Sequence, residues 1–131
     1  MATPGMLKPF RHPRRWLGLW LAAVTTVIVL SLVPPPPLPP LPSGSDKLEH
    51  FSAYFLLAAG AVQLFARPRV VCACGLALVL MGVALEFAQG AYTSTRMQDG
   101  WDAVANSIGV IAGIATVLTP WRDALLRWQR R

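Results

Sequence analysis

The residues of this sequence that could do chemistry fall into three short sets. Asp46, His50 and Tyr54 recur at i, i+4 and i+8, so on a helix they share one stripe, with Lys47 beside His50 at i, i+3. Glu86 and Gln89 are again three apart, and Arg96 follows. Asp99, Asp102, Asn106, Gly109 and Gly113 then run at spacings of 3, 4, 3 and 4, a face that is polar first and small afterwards. Carboxylates and an imidazole around one cavity acquire shifted proton affinities through burial and mutual repulsion, which is what acid–base work requires. The same groups are metal-ligand types, but there is no paired histidine and no H-E-x-x-H, so no metal is expected and no cofactor either. The bland alternative is interhelical glue: Arg96 with Asp99 or Asp102, Lys47 with Glu86, Asn106 on a backbone carbonyl. No G-x-S-x-G and no phosphate-binding loop occurs. Cys72 and Cys74 lie in an apolar run with no second pair to complete a metal site, and they read as small hydrophobes.

Stripes of this kind need helices to carry them, and the sequence supplies four apolar stretches. They are Trp16–Val33, Leu48–Ala66, Val70–Gln89 and Trp101–Leu118. At 1.5 Å per residue, 18 residues reach about 27 Å, close to the thickness of a bilayer's hydrocarbon. Of 131 residues, 54% are hydrophobic and only 14% charged, against about 25% charged in an ordinary soluble domain. Mean hydropathy is +0.47. So little charge cannot cover a water-facing globule, and disorder needs low hydrophobicity. The expectation is an all-α integral membrane bundle of four transmembrane helices. The first stretch resembles a signal peptide or half of a twin-arginine signal, but it is too long, is followed by proline rather than A-x-A, and precedes three further spans. The organisation expected is a basic N-terminus and first helix (1–33), a stiff proline-rich outer linker (34–45), a three-helix unit (46–119) and a basic cytoplasmic tail (120–131). Gly109-x-x-x-Gly113 is the helix-packing motif of the last span.

Net charge is +6 and the sequence pI about 10.4. The basic residues cluster beside apolar runs rather than on a soluble face, so no nucleic-acid partner is expected. The N-terminus carries +4, the loop at Arg67 and Arg69 carries +2, and the C-terminal segment carries +3, while the opposite side carries −3. Two basic ends separated by an even number of spans place both termini in the cytoplasm.

The ordered set Asp46-Lys47-x-x-His50-Phe51-x-x-Tyr54, Glu86-x-x-Gln89, Arg96, Asp99, Asp102, Asn106, Gly109 and Gly113 resembles the VanZ-like family, across 68 of the 131 positions. The resemblance implies a small multi-pass protein of the bacterial cytoplasmic (inner) membrane with this polar set on its outer face. It also implies a link to glycopeptide response, since the founding member is associated with teicoplanin resistance. It carries no reaction with it. Two functional readings follow. In one, the outer pocket binds or modifies an envelope ligand, a lipid-linked one included, with Lys47, His50 and Arg96 meeting an anionic head group. In the other, the protein is a non-catalytic scaffold that stabilises a membrane partner. Beyond the lipid bilayer, the sequence names no protein partner.

Overall fold

A computed structural model describes residues 5–34, 36–92 and 99–131. Four long helices dominate it: α1 (Pro13–Leu32), α2 (Ser45–Leu64), α3 (Pro68–Tyr92) and α4 (Gly100–Ala115). Two 3-10 turns, Thr116–Leu118 and Pro120–Asp123, lead into a short α5 (Ala124–Gln129). The described residues form no named strand, only an isolated bridge between Leu7 and Phe65. The all-helical architecture expected from the apolar periodicity is therefore present.

Among the described residues, three segments are long and apolar enough to cross a membrane: Pro13–Leu32, Pro68–Tyr92 and Gly100–Leu118, with mean hydropathies of 1.7, 2.4 and 1.5. Although α2 has the same 20 residues as α1, Asp46, Lys47, Glu49 and His50 occupy its first two turns and lower its hydropathy.

Local chemistry sets the helix ends. Pro13 starts α1, where its missing N–H costs nothing, and Val33 turns extended ahead of Pro34. Gly44 precedes α2 at φ 85°, a left-handed turn that glycine adopts without a Cβ clash. Asp99 caps α4 by accepting the Trp101 N–H at 2.9 Å.

Packing places α2 at the centre, in contact with α1, α3 and α4, and its closest partner is α4. A Cβ built on Gly109 would collide with the Phe51 carbonyl of α2, and one on Gly113 would meet the Phe55 carbonyl at 2.6 Å and Ala58 Cβ at 2.7 Å. The two backbones touch only because both side chains are absent. On its other side α4 meets α3, with Ile114 and Val110 against Gly75 and with Asn106 against Gly82. Tyr54, Leu57, Ala58, Leu78 and Val110 form the central core. No residue of α1 is fully buried. Its anchor is Trp20, whose Nε1 donates to the Leu57 carbonyl at 2.9 Å over the space left by Gly60.

The basic end of the bundle is latched. Lys8 Nζ donates to the Val62 carbonyl at 2.8 Å and to the Arg122 carbonyl at 2.5 Å, and pairs with Asp123 at 2.9 Å. Gln63 donates to the Trp121 carbonyl at 2.6 Å and accepts the Leu125 N–H at 3.0 Å. Residues 120–131 thus pack against α2 and the N-terminal segment. The N-terminal segment, the α2–α3 turn and the C-terminal segment consequently meet at one end. Leu19, Leu30, Leu56, Leu76, Leu80, Phe87, Ile108 and Ile111 point outward and are exposed, a far larger apolar surface than a water-facing protein of this size carries.

Candidate functional site

At the other end of the bundle α2, α3 and α4 each contribute polar groups to one cluster. The starts of α2 and α4 lie side by side because Gly109 and Gly113 hold those helices together deeper down. Asp46 and Lys47 of α2 therefore face Asp99 and Asp102 of α4. Lys47 Nζ donates to Asp99 at 2.6 Å, to Asp46 at 3.1 Å and to Asp102 Oδ1. One turn further in, His50 Nδ1 lies 2.9 Å from Asn106 Oδ1, and His50 Nε2 lies 3.5 Å from Asp102 Oδ2. From α3, Glu86 Oε2 accepts the Asp99 N–H at 3.1 Å. Glu86, Asp102 and Asn106 are 4%, 8% and 2% exposed, so the inner part of the cluster is a polar interior, while Asp46 and Asp99 at its mouth reach solvent.

The three stripes read from spacing thus meet in one place, but the pairings differ from those expected. Lys47 pairs with Asp46, Asp99 and Asp102 rather than with Glu86, because its reach from the first turn of α2 ends at the N-terminus of α4. Asn106 meets the His50 ring rather than a backbone carbonyl, since Gly82 lets α3 close over it. Arg96 lies outside the described residues. Lys47 is enclosed by three carboxylates, so it is not a free anchor for an anionic head group. Its ammonium also holds the Asp99 carboxyl below the usual carboxylate range, with the Trp101 N–H adding to the effect.

Beside the cluster lies a half-open cleft of about 150 Å³. Asp46, Glu49, His50, Ala53 and Tyr54 of α2 form one wall, Val27, Leu30 and Ser31 of α1 another, and Gln89 of α3 closes it. Tyr54 is buried one turn below His50. Gln89 Nε2 donates to the Ser31 carbonyl at 2.8 Å and so ties α3 to α1. Sequence reasoning missed Glu49 as a lining group, although it stands three residues after Asp46 and so shares its face. It also missed the α1 wall, for which an unbroken apolar run gives no signal. Gly109 and Gly113 play the packing role assigned to them and line nothing.

Among the described residues, two sets of potential ligand atoms lie within 4.8 Å of one another: His50 with Glu86 and Asp102, and Asp46 with Asp99 and Asp102. The Lys47 ammonium already sits among the second set. Cys72 and Cys74 are free, with Cys72 exposed, and belong to neither. No protein-family model, curated protein or solved structure matches the chain.

Proposed function

We propose that this chain is a four-span protein of the bacterial cytoplasmic membrane, VanZ-like in character, whose outward cleft binds an amphiphile of the cell envelope. In this reading α2 crosses as well, its charged first turns lying at head-group level and both termini in the cytoplasm. Trp101 and Trp121 support the depth. Both rings are exposed and flank the apolar segment Gly100–Leu118, where aromatic anchors at the two membrane interfaces would stand.

The observation that carries the ligand reading is the cleft's two-sided lining. Asp46 and Glu49 stand on the α2 wall, while Val27 and Leu30 offer hydrocarbon on the α1 wall opposite, with Ala53 below the carboxylates. With Lys47 neutralised by its neighbours, carboxylates are in excess among the described residues of the cluster. Such a site suits a cationic or hydroxyl-rich head group with an aliphatic tail. Glycopeptide response would follow from handling such an envelope molecule, and no reaction is assigned. Native mass spectrometry of the protein extracted with its own lipids tests the binding. A defined adduct on the wild type, lost in Ala53→Trp, which fills the cleft, supports the reading; an adduct unaffected by Ala53→Trp, or none at all, removes it.

A scaffold reading has its own support, because Lys47, His50, Asn106 and Gln89 all make interhelical polar contacts. Alanine at His50 separates the two. Lost phenotype at unchanged protein level favours the cleft, and lost protein level favours the scaffold.

A further inference from the structure

We infer that His50, Glu86 and Asp102 form a binding site for a divalent transition-metal cation at the inner end of the polar cluster. The inference begins with a mismatch of hydrogen-bonding roles. Asn106 Oδ1 can only accept, so the contact at 2.9 Å places the proton of a neutral His50 on Nδ1. Nε2 is then a bare lone pair, and it faces an acceptor, Asp102 Oδ2, at 3.5 Å. Two acceptors facing one another in this part-buried setting are bridged either by a second proton on the imidazole or by a cation. Lys47 is not that cation, because its ammonium lies on the other carboxylate oxygen, Oδ1.

The geometry fits a metal. Ligands bound at about 2.1 Å in a tetrahedron stand about 3.4 Å apart, and the Nε2–Oδ2 separation is 3.5 Å. A Glu86 oxygen lies within 4.8 Å of both other ligand atoms, so a modest side-chain movement completes three ligands. One imidazole with two carboxylates suits zinc or manganese better than calcium or magnesium, which prefer all-oxygen shells. Asn106 is the positioning residue: by accepting Nδ1–H it fixes the tautomer and ring plane, as the outer partner of a ligating histidine does. Glu86 and Asp102 supply two carboxylates against a divalent charge, and His50 also lines the cleft. This inference stands apart from the amphiphile reading, since it is tested with no envelope lipid present.

The test uses the full chain purified in detergent, stripped with chelator and titrated with zinc chloride. The expected result is one equivalent bound, with a zinc-edge X-ray absorption spectrum showing one imidazole and otherwise oxygen neighbours. His50→Gln should weaken binding by at least about tenfold, and Asn106→Leu by about 10–100-fold. The double variant Cys72→Ser/Cys74→Ser should bind like the wild type. The absorption spectrum decides the matter even where a variant fails to fold. Sulfur neighbours, no stoichiometric binding, or binding that survives His50→Gln but not the double cysteine change would overturn the site.

Discussion

Replacing Gly109 by alanine should reverse the usual sign of a glycine-to-alanine change in a helix. At an unobstructed helical site the change stabilises by about 1 kcal/mol, because alanine loses less backbone entropy. Gly18 in α1 is such a site, with nothing within 4 Å of a built Cβ. At Gly109 the added methyl would overlap the Phe51 carbonyl oxygen and lie 3.1 Å from Phe55 N and 3.2 Å from Phe51 C. Every one of those atoms is backbone, so no side chain can rotate away; α2 itself must move. Overpacking of this kind costs about 1–3 kcal/mol, which outweighs the helix gain over most of its range. The net expectation is a loss of up to about 2 kcal/mol for Gly109→Ala, and a larger loss for Gly109→Leu. Reversible unfolding in mixed micelles, followed by circular dichroism, measures both variants on one scale. If Gly109→Ala stabilises the protein as Gly18→Ala does, α2 and α4 do not touch through their backbones and the packing described above is wrong.

Other perturbations have equally definite outcomes. Trp20→Phe removes the hydrogen bond to the Leu57 carbonyl and should cost about 0.5–1.5 kcal/mol in the same unfolding assay. The Lys8 ammonium holds the Asp123 carboxyl below its ordinary value of 3.8. The stabilisation from that pair is complete above the unfolded value and disappears as pH falls through the lower folded one, so Asp123→Asn should flatten the acid limb of the stability curve below about pH 4. A steep limb retained in Asp123→Asn would assign it to other carboxylates. Reporter fusions at Gly44 and at the C-terminus should register opposite sides of the membrane; the same side for both would remove the four-span topology.

The four long helices were legible because each is written as an apolar run with breakers near its ends, though several boundaries differ. Pro13 starts α1 ahead of Trp16, Gly44 and Ser45 start α2 ahead of Leu48, and α4 gives way to a 3-10 turn at Thr116 before Leu118. The polar cluster was legible from the i, i+3 and i+4 spacing within each helix. Its pairings were not, because Lys47 meets Asp99 and Asp102 across 52 and 55 residues and no local periodicity encodes such a distance. Residues 120–131 read as a basic cytoplasmic tail on account of their arginines, and their packing against the bundle had no signal of its own. What folds them is a lone Gln63 in an apolar run and a lone Lys8 near the start of the sequence, each of which looks incidental until its partner is known.

The Lys8 latch also has a consequence in time. Its ammonium is bonded to the Arg122 carbonyl across 114 residues. Polypeptide leaves the ribosome at about 5–20 residues per second, so Lys8 waits roughly 6–23 s before its partners exist. During that interval Lys8, Arg11, Arg14 and Arg15 have no Asp123 beside them and present undiluted positive charge. In the proposed topology the same lysine would be an orienting charge while the chain is being made, and it is a structural clasp once synthesis has passed Asp123, with the change of role set by the order of translation.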